Sequence, residues 1–456
     1  MTKDMTTGSP MKNIIKFCLP LMVGNLFQQF YNMADIIIVG RFVGKAALSA
    51  VGSVGSLNFL VIGSVIGLCT GFSVPIAQRF GAQDEKGLKK YVANIIYLSL
   101  ALGVLLTVGA VVLTNPLLKL LNTPADIYED AYNYIVIIFA GIGATMFYNL
   151  LAALVRSLGD SKTPLYFLLF SSILNIGMDI LLITVFDMGV RGAAVATIFS
   201  QFVSGVLCFI YVKRSFPILH ITKDTRKPDF NYMKTLLGNG LPMALQFSIT
   251  AIGSVMLQSC VNGLGADAIA AITIGTKTQL MIVLPSETIG AAMATYCGQN
   301  LGAGQYDRIK KGVGRGVILA ACYTVIGFCV ANFLGPYISL LFIDGSEKVV
   351  IGLAQQYINM GSYFYFILSV LFVVRNSLQG MGYSSVAMFA AVFELVARAV
   401  MGFGFVNTLG YAAACVANPV AWIAADVFLI PAYFVMMKKV KKKLQIANGK
   451  LQIKER

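Results

Sequence analysis

Twelve apolar runs follow one another along this 456-residue chain, each about the ~20 residues that a helix needs to cross the hydrocarbon core of a bilayer. They cover residues 13–39, 46–76, 91–113, 131–154, 165–186, 192–212, 239–261, 268–296, 314–334, 354–374, 385–407 and 411–436. Backbone groups in lipid must be bonded within the protein, which leaves helices or a closed barrel. Barrel strands alternate over about ten residues, whereas these runs are long and continuous. Helices are therefore expected. Only 12% of the chain is charged, against about 25% in soluble domains. The first run is long and lacks a small-residue cleavage site, so it reads as a retained helix rather than a signal peptide.

Lysines and arginines set the orientation. With the N-terminus inside, 28 of the 35 basic residues fall in inner segments and five in outer loops: Arg41, Lys45, Lys119, Arg191 and Lys348. Lys277 and Arg398 fall inside helices. Both termini are thus expected on the cytoplasmic side of the cell (inner) membrane. The net charge of +15 is mostly this topology signal. It is scattered over one membrane face, which argues against a nucleic-acid partner. The basic tail 438–456 is placed to lie on anionic lipid, and nothing in the pattern calls for more than a monomer.

The eight cysteines sit in or at the ends of apolar runs with no CxxC pair, and read as small buried hydrophobes. His220 stands alone in the central connector and reads as solvated. No metal cluster, nucleophile elbow or phosphate-cradling glycine loop is present, so neither an enzyme nor a bound cofactor is expected.

The connector 213–238 divides the runs six and six. The halves echo each other: "AQRFGAQDEKGLKK" (77–90) answers "GQNLGAGQYDRIKK" (298–311), Pro20 pairs with Pro242, and "RSLGDSKTP" answers "NSLQGMGYSS". A unit of six helices starts and ends on one side, so both copies should be related by a pseudo-twofold axis along the membrane normal. The expected architecture is all-α and polytopic, with two six-helix bundles at 1–212 and 239–437. Duplication of this kind builds transporters with a central chamber. A receptor or scaffold needs no such repeat.

One carboxylate interrupts the first run: Asp35 in "NMADIIIVGR". A charge at membrane depth costs ~2.5–3.5 kcal/mol on insertion scales. Counted from the outer boundary at 1.5 Å per residue, Asp35, Tyr134, Asp179 and Thr197 all lie within roughly 6–12 Å of it. Asn175 and Asp179 are four apart and share a helix face. Oxygens from the first, fourth, fifth and sixth helices can converge there. Packing roles are the plainer alternative, above all for Tyr134, since interfacial tyrosines are routine. The second half lacks this set and carries Lys277, Glu287, Glu394, Arg398 and Asp426 instead. Glu394 precedes Arg398 by four, the favourable order for a helical pair. These residues are either an internal ion pair or part of a substrate chamber or second proton route. Pro20 should kink the first helix and act as a hinge.

The ordered set "LPLMVGNLFQQFYNMADIIIVGRFVG", "QRFGAQD", "RSLGDSKTP", "LNIGMDILLI" and "MGVRGAAVAT" resembles the MATE (multidrug and toxic compound extrusion) family over essentially the whole chain, and its DinF-type prokaryotic branch most. The resemblance implies two bundles around a V-shaped chamber. It also implies export of small, amphipathic, often cationic organic compounds such as drugs and dyes, in exchange for Na⁺ or H⁺. Positions matching Asp35, Tyr134, Asn175, Asp179 and Thr197 form a polar cation site in that branch, with Asp35 and Asp179 as the Na⁺ ligands if sodium is the coupling ion. Other branches carry a carboxylate on the seventh helix. Here "LPMALQFSITAIGSV" has none, and that mechanism does not carry over. A lipid-linked oligosaccharide flippase of the same superfamily is the alternative kept open by Arg398 and Lys277.

Overall fold

The computed structural model describes residues 4–454. Among these, the chain forms helices and no strand: α1 (Pro10–Phe42), α2 (Lys45–Ser53), α3 (Gly55–Gly81), α4 (Glu85–Leu120), α5 (Tyr128–Ala140), α6 (Ile142–Ser157), α7 (Lys162–Ile180), α8 (Gly189–Ser215), α9 (Phe230–Val261), α10 (Ala266–Gly302), α11 (Tyr306–Cys329), α12 (Gly335–Ser339), α13 (Lys348–Ser362), α14 (Tyr365–Gly380), α15 (Ser384–Ala399), α16 (Val406–Leu409) and α17 (Tyr411–Lys454). Nine are long and apolar enough to span a bilayer, and the bent pairs α5/α6 and α13/α14 bring the number to eleven. The twelfth is α1. Asn25, Gln28, Gln29, Asn32 and Asp35 dilute its hydropathy, yet it runs 33 residues without a break.

One of the two bends has a clear local cause. α5 and α6 meet at 48° at Gly141. A Cβ there would stand 2.2 Å from Ile198 of α8, so only glycine lets the elbow close on its neighbour. The second bent pair meets at 54° across Tyr363 and Phe364.

The duplication is visible in the backbone. Left-handed residues come in pairs 221 to 223 apart: Gly44 and Gly265, Gln83 and Gly304, Gly159 and Gly382, Asp187 and Gly410. Each pair marks a turn between the same two helices of each half. π-helical turns repeat likewise, at Leu181–Val185 after α7 and at Val400–Phe405 after α15.

Residues group into two compact units that do not follow chain order. One comprises Met1–Asp4 and Leu19–Ser248, the other Met5–Cys18 and Ile249–Arg456. The division expected from the sequence, 1–212 and 239–437 about the connector 213–238, is crossed at two places, within α1 and within α9. The first crossing lies beside Pro20. The connector itself is strapped to α4: Asn94 accepts from the Asp229 amide at 2.8 Å, and Tyr97 donates to the Arg226 carbonyl at 2.8 Å. The expected tail 438–456 continues helix α17 through Lys454, and its last two residues lie outside the described residues.

In the first unit, Phe72, Ile76, Leu88, Ile95 and Phe139 are fully buried. Gly63, Gly67 and Gly71 form a small-residue stripe on α3 that seats the start of α9. A Cβ on Gly71 would come 2.5 Å from the Gly240 backbone. Gly71→Ala should therefore force the two helices apart at about 1–3 kcal/mol. Thermal unfolding of the purified variant should show a lowered midpoint, and an unchanged midpoint would mean that the backbones part freely.

In the second unit, Met5–Pro10 is held by Arg308 at the start of α11. Its guanidinium donates to the carbonyls of Met5, Thr7 and Gly8 at 2.7 to 3.0 Å, and to Asn300 at 2.9 Å. The first turns of α1 thus stand on a fixed base.

Candidate functional site: two buried polar clusters

The first cluster lies in the first unit. α1 supplies Asp35, α5 supplies Tyr134, α7 supplies Asn175 and Asp179, and α8 supplies Thr197. All five expected residues come together. Asp35 and Asp179 stand side by side, and Tyr134 is within electrostatic reach of both. Asn175 donates from Nδ2 to Thr197 Oγ1 at 3.4 Å, and Thr197 donates back to the Ala193 carbonyl at 3.0 Å. Asn175 and Asp179 are 1% and 0% exposed. The wider π turn starts two residues after Asp179, and such turns recur at functional sites.

The bonding ledger of this cluster is one-sided. Asp35 Oδ1, Asn175 Oδ1 and both carboxylate oxygens of Asp179 are buried without a hydrogen-bond donor. Among the described residues, neither carboxyl makes a salt bridge to a lysine or arginine. Buried acceptors of this kind are costly unless something fills the gap. Converging hard oxygens without a fixed cation suit a small hard cation or a proton.

Tyr31 belongs to the same cluster, beside Asp35 and Thr197. The sequence reading missed it. It precedes Asp35 by four and so shares its helix face, which was the available signal.

The second cluster lies in the second unit. Glu394 accepts from Arg398 Nη2 at 3.1 Å, the i,i+4 pair expected from the sequence, and also from Arg375 of α14. Arg398 Nε donates to Asn418 at 3.0 Å, and Asn418 Nδ2 bonds the Tyr357 hydroxyl at 3.1 Å. Glu287 and Asp426 lie within electrostatic reach of Arg375. Arg375, Glu394, Arg398 and Asp426 are all buried, whereas the Glu287 side chain is exposed at the surface of its span. Arg375 corrects the sequence reading, which placed it in an inner turn. α14 instead continues to Gly380 and buries it. Lys277, expected with this group, is exposed and makes no ion pair among the described residues.

Comparison with known proteins bears on both halves of the chain. The MatE family model matches residues 20–181 and again 242–403, one copy per half. The chain belongs to the MatE family. It is 31% identical over 380 residues to the probable multidrug resistance protein YpnP of Bacillus subtilis (strain 168), covering 83% of this chain and 84% of that protein. It is 29% identical to the probable multidrug resistance protein NorM of Thermotoga maritima, covering 81% and 80%. A solved outward-facing conformation of a multidrug resistance MATE family transporter of the MOP superfamily superposes with a TM-score of 0.89 over 97% of this chain and 99% of its own, at 23% identity. That likeness establishes the fold: twelve membrane-spanning helices in two bundles. MatE proteins are multi-pass membrane transporters rather than enzymes, and this MatE chain has the helices for that role.

Proposed function

We propose that this MatE protein is a secondary antiporter that exports small amphipathic, mainly cationic organic compounds in exchange for Na⁺ or H⁺. The names of its relatives support the drug-like cargo. The observation that carries the ion coupling is the set of four buried oxygen acceptors without donors around Asp35 and Asp179. In this reading those two carboxyls take the coupling ion, while Asn175, Thr197, Tyr134 and Tyr31 orient them. Two carboxylates in one buried site repel each other, and either a proton or Na⁺ relieves that repulsion. The two loads are therefore exclusive, and the pair titrates as a unit. The protein works as a monomer in the cell (inner) membrane, both termini face the cytoplasm, and the tail rests on anionic lipid. By the repeat, the two copies run along the chain as 1–212 and 239–437 about the connector 213–238, while packing gives the start of α1 to the second unit and the start of α9 to the first.

The second cluster serves here as a neutralised brace. Arg398 is committed to Glu394 and Asn418, which removes one of the two cations that kept the flippase alternative open and leaves it resting on Lys277 alone. Efflux of a fluorescent cationic dye from cells tests the reading: accumulation should rise when the ion gradient is collapsed. Efflux that ignores the gradient contradicts it. Repeating the assay at fixed pH with and without Na⁺ assigns the ion.

Pro20 is the hinge in this proposal. Pro20 lacks an N–H and leaves one turn of α1 underbonded, and the boundary between the two compact units falls beside it. Asp35 lies fifteen residues on, about 22 Å along the axis. Pro20→Ala should slow turnover while leaving the yield of folded protein intact. Full-speed efflux from the variant would remove the hinge from the mechanism.

A further inference from the structure

A groove of about 950 Å³ opens on the first unit between α4, α6, the last turns of α8 and the connector. We infer that it is a binding site for one anionic glycerophospholipid, with the headgroup at Lys213 and His220 and the acyl chains along α4. Four features of the groove support this assignment.

The first is length. The groove runs along α4 from Val92 to Val108, about 24 Å at the helical rise. One leaflet of hydrocarbon is about 15 Å, half of the bilayer core. The remainder accommodates a glycerol and a headgroup.

The second is polarity. The walls are apolar along α4 and α6 apart from the hydroxyls of Ser99 and Thr107, and become basic only at the connector end. There His220 Nε2 stands 2.6 Å from the Lys213 carbonyl oxygen. A carbonyl only accepts, so this nitrogen carries the hydrogen. The bond ties the connector to the last turn of α8, while the exposed Lys213 ammonium has no ion pair among the described residues. No aspartate or glutamate lines the groove. A cationic drug would find no counter-charge there, whereas a phosphate finds a lysine.

The third is a spare hydroxyl. Ser99 Oγ is buried in the groove with no partner. Serines in membrane helices usually bond back to the carbonyl four residues earlier, as Ser64 does to Leu60 at 2.5 Å. Ser99 sits seven residues from the Val92 end, about 10 Å, a depth suited to an ester carbonyl below the phosphate.

The fourth is that the opening is built in. Where a Cβ on Gly143 would stand, nothing lies within 4 Å. The connector wall is fixed as well, through the hydrogen bonds of Asn94 and Tyr97 to it.

Native mass spectrometry of the full chain in mild detergent, with equimolar phosphatidylglycerol and phosphatidylcholine of matched chains, tests the site. The wild type should retain phosphatidylglycerol with about a fivefold preference, the discrimination one lysine gives at a membrane surface. Lys213→Ala, at an exposed position, should erase that preference. Gly143→Leu should lose the lipid of either kind. Gly352→Leu, a helical glycine on α13 with equally open surroundings, should match the wild type. Equal retention of both lipids by the wild type, or undiminished lipid on Gly143→Leu, overturns the assignment. So does displacement of the lipid by tetraphenylphosphonium that is lost in Gly143→Leu, which would make the groove an entrance for cationic substrates.

Discussion

Asp35→Asn protein in proteoliposomes is expected to be folded and monodisperse and to have lost gradient-driven efflux. The argument is steric and electrostatic. Asparagine keeps the shape of a protonated aspartate and adds an N–H₂ that can donate to Asp179, two of whose oxygens otherwise have no donor. The substitution removes the repulsion between neighbouring carboxyls, so stability should hold or rise while the site freezes in its loaded form. Asp179→Asn should behave alike, because Asp179 shares the site and is fully buried. Thr197→Val should be milder: it removes the partner of Asn175 but neither carboxyl. Efflux and thermal midpoint measured on the same samples separate the two effects. Loss of efflux together with a fallen midpoint would make Asp35 a packing residue.

The second large effect is expected at Glu394. This carboxylate accepts from both Arg375 and Arg398. Removing one partner of a buried ion pair leaves the other charge stranded, at ~3–5 kcal/mol. The two arginines are not equally exposed to that loss. Arg375 keeps two carboxylates, Glu287 and Asp426, within reach, whereas among the described residues Arg398 keeps the neutral Asn418 and Tyr357 and has no second ion pair. Glu394→Gln should therefore strand Arg398 and sharply lower the yield and midpoint. Arg398→Met should cost less, since Glu394 still holds Arg375. The double variant should recover most of the loss. Thermal unfolding of the three proteins gives the ranking, and a Glu394→Gln protein as stable as the wild type would show that the cluster is not a brace.

Much of this was legible in the chain. The spans declare themselves because a bilayer demands about 20 apolar residues, and Asp35 stands out because such a run tolerates few charges. Asn175 and Asp179 were recognisable as a pair by spacing alone. Tyr31 was not, since a tyrosine in an apolar helix is unremarkable until its neighbours are known. Arg375 was hidden for a different reason. It stands in "VVRNSLQG", which has the composition of a helix end, and the charge rule for inner loops absorbed it without conflict. The bends at Gly141 and at Tyr363–Phe364 left no trace in hydropathy, because both halves of each bent span are apolar. The crossing of the two units within α1 and α9 was equally hidden. Polarity places the boundary in the connector, whereas packing places it beside Pro20 and at Ser248, inside continuous helices.

Ion movement in the direction opposite to drug is the most direct test of the oxygen site. Proteoliposomes loaded with a cationic substrate are placed in substrate-free buffer, with no ion gradient, and the outward drug flux is used to drive the ion. Wild-type vesicles should move Na⁺ or H⁺ against the drug flux, read by ²²Na⁺ or by an internal pH dye, and Asp35→Asn and Asp179→Asn vesicles should move neither. Drug-driven ion movement at the wild-type rate in either variant would contradict the placement of the coupling ion between these two carboxyls.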